Sequence, residues 1–298
     1  MIKKDTFSSF HPIINFLYFT LVIGFTMFLM HPIALAISLI ASLTYSIYLD
    51  GKRAVLFALK YALPVMCMAA IINPAFNHEG LTILTYFPNG NPLTLESILY
   101  GISAATMLAA VLLWFRCYNA VMTSDKFVYL FGRMIPALSL ILSMTLRFVP
   151  RFAAQLKTIK DSQYYIGHST SDGSLFQRLR NAIKILSILI TWSLENALET
   201  ADSMKSRGYG LRKRTAFSIY HFDSRDKIVL TWLITSGSFL LCGIIARGLK
   251  WRYFPNMKGI SMNPITLCLF IIYACLCFTP VYINRREDRI WHSLKSKI

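Results

Sequence analysis

The residues in this sequence with the types and spacing to do chemistry form a short set. Glu195, Glu199 and Asp202 are four and three residues apart, so on a helix they share one face. Facing carboxylates can serve as a general acid and base. Their plainer use, and the preferred reading, is a solvated stripe that balances Lys205 and Arg207. Gly51-Lys52 is followed by Arg53 and lacks an earlier glycine, so it cannot form the glycine-rich loop that cradles phosphates. There is no HExxH and no GxSxG, and the six histidines are scattered singly. The cysteines at 67, 117, 242, 268, 275 and 277 form no CxxC pair and mostly lie in apolar runs, where they read as small buried hydrophobes. No catalytic residue, metal-ligand set or resident cofactor is therefore assigned to this chain. Arg207 remains, one residue before Gly208. A guanidinium there can present a planar fork to a carboxylate beyond the helix, or it can stabilise its own helix end through the dipole, worth only ~0.3–1 kcal/mol.

The elements that position these residues follow from composition. The chain has 298 residues, is 55% apolar and has a formal charge of +17. That apolar content, above the roughly 45–50% of soluble domains, predicts an all-α polytopic membrane protein. The positive charge acquires meaning only once it is located relative to the membrane.

Apolar runs over Ile13–Met30, Ile33–Leu49, Ala54–Ile72 and Leu95–Phe115 are each long enough to span a bilayer, which needs about 20 residues. Lys60 lies near the end of the third and reads as snorkelling. The loop 73–93 is rich in Asn, Pro and Gly and contains no Lys or Arg. From Arg116 to Lys227 there are seventeen Lys and Arg, which by the positive-inside trend makes this region cytoplasmic. Met134–Leu146 is apolar but only thirteen residues long, a buried or interfacial helix. Two further spans follow, from Asp226 to Ala246 and from Asn263 to Ile283, before a basic tail. The loop 247–262 carries Arg247, Lys250, Arg252 and Lys258 against the trend, and the larger central cluster outweighs it. The expected organisation is about six spans with both termini cytoplasmic. It divides into a membrane region over 1–123, a helical cytoplasmic module over 124–222, and a membrane region with its tail over 223–298.

Inside the module the period is helical. Phe148-Val149-Pro150-Arg151 opens one run, with Phe152, Leu156, Ile159, Gln163 and Ile166 spaced three or four apart, and it stops at Gly167. Ser174 with Gln177 fits a capping box opening a second helix. That helix carries a stripe through Leu186, Ile190 and Leu194 to Met204 and ends at Lys205-Ser206-Arg207-Gly208. Each helix is closed by a glycine, whose plain role is a C-cap.

These residues carry a family resemblance. Leu146-Arg147-Phe148-Val149-Pro150, then Gln163 and Gly167, then Ala201-x-x-Met204-x-Ser206-Arg207-Gly208-Tyr209, and Arg214-Thr215 with Phe222 and Arg225-Asp226, resemble the transmembrane T component of energy-coupling-factor transporters, the CbiQ-type permease family. The likeness is strongest from about 136 to 228. It implies a non-catalytic scaffold in the bacterial inner membrane. Two ATP-binding-cassette ATPases, holding ATP and Mg, receive the ends of two long helices. A small substrate-binding membrane subunit for a vitamin or metal ion rests on the apolar face of those helices, where Leu186, Ile190 and Leu194 stand. The family's docking element is a small residue, Arg and Gly. Ser206-Arg207-Gly208 matches it, whereas Tyr165-Ile166-Gly167 lacks the arginine, which implies two non-identical ATPases or one more apolar groove. The rival reading is a stand-alone membrane transporter or membrane enzyme whose basic module binds lipid or substrate.

Overall fold

The computed structural model describes residues 5–86, 88, 90–132, 136–168, 170, 173–209, 220–246, 248–249, 251–257, 259 and 263–295. The chain forms two compact units, residues 1–123 with 220–298 and residues 124–219.

The first unit is a bundle of apolar helices. Among the described residues, five helices are long and apolar enough to cross a membrane: α2 (Pro32–Asp50), α3 (Lys52–Phe76), α4 (Leu95–Val121), α8 (Ser224–Ile245) and α9 (Pro264–Lys295). A sixth, α1 (Pro12–Phe28), has 17 residues. The protein is thus an all-α polytopic membrane protein. Helices α1 and α2 start alike, each with proline at the first helical position. The Nδ1 of His11 accepts the Ile13 amide at 3.3 Å, and that of His31 accepts the Ile33 amide at 3.2 Å. Histidine thus supplies the side-chain acceptor that Ser or Asp usually gives at a helix start, and proline removes one orphan donor. Helix α3 contains a π-helical turn over Ala58–Ala62, with the Lys60 ammonium 5.4 Å from the Tyr61 ring.

Hydrogen bonds fix which ends of the helices share an edge. The Asn284 Oδ1 of α9 accepts the amides of Thr6 and Phe7 at 2.9 and 3.2 Å, and its amide donates to Asp5. Tyr45, late in α2, donates to Asp5 at 3.0 Å, and Tyr48 to Asp288 at 3.0 Å. Arg116 of α4 pairs with Asp50 at 2.7 Å and donates to the Arg53 carbonyl at the start of α3. The His11 amide donates to Asp226 in the first turn of α8. The opposite edge joins Tyr253 to the Met30 carbonyl at 2.8 Å and the Ser103 hydroxyl at 2.7 Å. The helices therefore alternate in direction, and residues 5 and 284 lie on one edge.

Between the edges, polar groups satisfy one another. The hydroxyls of Thr26 (α1) and Ser38 (α2) meet at 2.7 Å, that of Tyr273 (α9) is 3.1 Å from Thr26, and the Trp114 indole (α4) donates to Ser38 at 2.9 Å. Four helices meet at this junction, and each buried polar group gains the partner that an apolar solvent cannot give.

Two expectations need correction. The loop 73–93 is not all loop: α3 continues through Pro74 to Phe76, and Ile83–Tyr86 (β1) pairs antiparallel with Pro92–Thr94 (β2). The hairpin is held from behind by Glu96, which accepts the Thr82 amide at 3.2 Å and its hydroxyl at 2.8 Å. The segment 134–146 is also not a separate short helix in its described part. Helix α6 runs unbroken from Pro136 to Tyr165, with Pro150 inside it.

The second unit holds α5 (Ser124–Gly132), α6 (Pro136–Tyr165) and α7 (Leu175–Ser206). At 1.5 Å per residue, α6 and α7 are rods of roughly 45–48 Å. They cross through aromatic contacts. Phe152 of α6 stacks on Phe148 with centroids 5.8 Å apart and meets the Trp192 ring of α7 edge-on at 5.8 Å, while the Arg151 guanidinium lies 5.6 Å from that ring. Ile159 and Ile185 are buried.

Candidate functional site

Helix α7 begins as its sequence dictates. The Ser174 hydroxyl accepts the Gln177 amide at 3.4 Å, and the Gln177 side chain accepts the Ser174 amide at 3.2 Å, a reciprocal capping box.

The two long helices end in the same way. In α6 the Gly167 amide donates to the Tyr164 carbonyl at 3.0 Å and the His168 amide to the Gln163 carbonyl at 2.9 Å. In α7 the Gly208 amide donates to Lys205 at 3.0 Å and the Tyr209 amide to Met204 at 3.1 Å. This paired pattern is a Schellman cap, which needs a left-handed residue at its turn. Gly167 and Gly208 supply it, with φ of 85° and 74°. Five residues thus correspond in order: Tyr164 with Lys205, Tyr165 with Ser206, Ile166 with Arg207, Gly167 with Gly208, and His168 with Tyr209.

The equivalence is of backbone, and the chemistry differs. Tyr165 and Ile166 are 84% and 68% exposed, far more than apolar groups of a covered helix end. Ser206 and Arg207 are exposed as well, and the Ser206 hydroxyl donates to the Ser203 carbonyl at 2.9 Å. One cap therefore displays an aromatic and an aliphatic group where the other displays a hydroxyl and a guanidinium. The cap partners Gln163 and Met204 were not singled out as functional in the sequence. The signal was available, since each lies four residues before the capping glycine. Glu195, Glu199 and Asp202 are exposed, as a solvated stripe would be.

A second surface lies along α7. Leu186, Ile190 and Leu194 are exposed, and Leu179, Ile183 and Leu198 extend them in a single stripe of three- and four-residue steps. Ile185 and Trp192 lie two residues from Ile183 and Ile190, about 200° around the helix, so the stripe faces away from the crossing with α6. Arg214 and Thr215, which carried part of the family likeness, lie outside the described residues.

These features can be set beside known proteins. A family model described as cobalt transport protein, CbiQ, matches residues 8–217, well over half of the chain. Among curated relatives, the energy-coupling factor transporter transmembrane protein EcfT of Bacillus selenitireducens is 39% identical over 94 residues, 31% of this chain and 35% of that protein. EcfT of Lactobacillus helveticus is 32% identical over 108 residues, 36% and 39% of the two chains. EcfT of Streptococcus thermophilus is 29% identical over 140 residues, 47% and 53% of the two chains. The matched part is thus between 35% and 53% of these relatives' own length. Because the family match runs from the start of the apolar bundle through both capped rods, the chain belongs to the CbiQ cobalt transport protein family.

Proposed function

We propose that this chain is the non-catalytic coupling subunit of an energy-coupling-factor importer. The Schellman-capped ends of α6 and α7 dock into grooves on two ATP-binding-cassette ATPases, which hold the ATP and Mg. A separate membrane subunit that binds a vitamin or metal ion rests on the apolar stripe through Leu186, Ile190 and Leu194. Closing of the ATPases moves the two rods, and the rods move the substrate subunit. The edge that gathers Asp5, Arg116 and Asn284 faces the cytoplasm of a bacterial inner membrane, with both termini there, because the basic residues concentrate on that side.

The observation that carries this reading is the matched pair of caps with exposed side chains at equivalent positions. A C-cap alone needs only the glycine, and nothing in capping requires Tyr165, Ile166 and Arg207 to project into solvent. The apolar stripe supports the same reading, since large exposed apolar surface marks a partner site. Arg207 is the cation for a groove carboxylate, and Tyr165-Ile166-Gly167 suits a groove that is apolar there, so the two ATPases are expected to be non-identical.

The test is co-expression with ATP-binding-cassette ATPase subunits and a substrate subunit from the same cell, followed by purification and uptake measurement. The coupling reading expects a complex containing the ATPases and uptake that requires ATP. Arg207→Glu should abolish ATP-dependent uptake while the chain keeps its elution volume and helicity. Substrate uptake by the purified chain alone would overturn the reading.

A further inference from the structure

The last helix carries a surface unrelated to the capped rods. Phe278, Val281, Tyr282, Arg285, Arg286 and Arg289 of α9 line a groove of about 560 Å³ together with Ile290. The spacing of Phe278, Tyr282, Arg285 and Arg289 is four, three and four, so they form one continuous stripe. From Phe278 to Arg289 the stripe rises roughly 16 Å, and its character changes along the way. The lower part is aromatic and aliphatic; the upper part is framed by Ile290 and the stems of three arginines, whose side chains are exposed at the groove's rim.

The change falls at the edge of the apolar bundle. Asn284, one residue before Arg285, is the side chain that binds the Thr6 and Phe7 amides, and Asp288 accepts the Tyr48 hydroxyl at 3.0 Å. The three arginines therefore stand at this polar edge of the bundle, and Phe278 and Tyr282 lie on its apolar side. Three arginines stand against two nearby acids, Glu287 on the opposite side of the helix from Arg285 and Arg289, and Asp288, which accepts the Tyr48 hydroxyl, so the patch keeps a net positive charge. Among the described residues, no hydrogen bond or ion pair shorter than 4.0 Å occupies Arg285, Arg286 or Arg289.

We infer that this groove binds one anionic phospholipid of the leaflet that meets this edge. Its phosphate is held by Arg285, Arg286 and Arg289, and an acyl chain lies against Phe278 and Tyr282. Charge complementarity selects the head group, since guanidinium groups bind phosphate oxygens in a fork. The apolar half of the groove selects a lipid over a free anion. The inference rests on the membrane-spanning fold and does not require the coupling role.

The protein is purified in detergent and titrated with phosphatidylglycerol or phosphatidylcholine, and retained lipid is counted by native mass spectrometry. Phosphatidylglycerol should be retained at least about tenfold better than phosphatidylcholine. Each arginine replaced by glutamine should weaken retention about fivefold, so Arg289→Gln alone gives a readable loss and the triple variant a much larger one. These side chains are exposed, so thermal unfolding of the variants should match the parent. Equal retention of the two lipids, or undiminished phosphatidylglycerol binding by Arg289→Gln and the triple variant, would overturn the proposal. Complete displacement of the lipid by inorganic phosphate would also overturn it, by assigning the site to a free anion. If the triple variant does not fold, Arg289→Gln alone decides.

Discussion

Ile166 and Arg207 occupy the same position of the same cap, each followed by a glycine with positive φ and each framed by the two amide-to-carbonyl bonds of a Schellman turn. The two rods share this backbone geometry, and where one carries a guanidinium the other carries a branched aliphatic. An isoleucine fully buried on a partner gains about 1.5–3 kcal/mol, or roughly 10- to 150-fold in affinity. Ile166→Asp should weaken binding of one ATPase by that order and leave the other attached, whereas Arg207→Glu should release the other first. Quantitative pull-down of each ATPase with the two variants checks this; equal loss of both subunits from either variant would refute the division of labour.

The caps themselves make a second expectation. Gly167→Ala and Gly208→Ala place a Cβ in the left-handed region, at a cost of about 1–2 kcal/mol each. The cost is local, because the last turn can fray while the crossing at Phe152 and Trp192 holds. Hydrogen exchange should accelerate at the His168 amide in the first variant and the Tyr209 amide in the second, with little change near Trp192. Unchanged exchange at those two amides would contradict the assigned caps.

Much of this was legible in the sequence, for identifiable reasons. The capping box of Ser174 and Gln177 and the two terminal glycines are read from local chemistry, and their bonds form where the residue types require them. The apolar helices follow from run length. The start of α6 was misread because Pro150 looks like an entry to a helix. In the structure its ring is accommodated within a helix that began at Pro136. The hairpin at 83–94 was missed because its register depends on Glu96 reaching back to Thr82, a contact across 14 residues with no periodic signature. The junction of Thr26, Ser38, Trp114 and Tyr273 was equally invisible, since single polar residues in apolar runs show their partners only after the helices pack.

That junction gives a third expectation. Trp114→Phe removes the donor to Ser38 and should destabilise the apolar bundle by about 1–3 kcal/mol. Tyr273→Phe removes the contact with Thr26. Because the four groups share partners, the double variant should depart from additivity by about 0.5–3 kcal/mol. Thermal unfolding of the four proteins in one detergent measures the coupling, and strict additivity would dissolve the network into independent bonds.

The two histidine caps predict a pH dependence. Burial pushes His11 below the ordinary histidine value, opposed in part by the Asp226 carboxylate, and burial does the same to His31. A histidine whose folded pKa is depressed binds fewer protons folded than unfolded. Its contribution is complete above about pH 6.5 and is lost as pH falls through the folded value. Protonation also removes the Nδ1 lone pair that accepts the Ile13 or Ile33 amide. Between pH 7.5 and 5 the parent should lose thermal stability, and a His11→Asn, His31→Asn variant, which keeps an acceptor but does not titrate, should lose less. Identical pH profiles for the two proteins would exclude the histidines as the cause.

The bonds that close the apolar bundle join its earliest and latest helices. Thr26 meets Tyr273 across 247 residues, and Tyr18 donates to the Cys277 carbonyl across 259. During synthesis at about 5–20 residues per second, the first helix therefore waits roughly 10–50 s for its partner. Throughout that interval the Tyr18 hydroxyl lacks its final acceptor, while both long rods are already made. A nascent chain stalled before Pro264 would therefore hold the Tyr18 and Thr26 hydroxyls without the partners that α9 supplies.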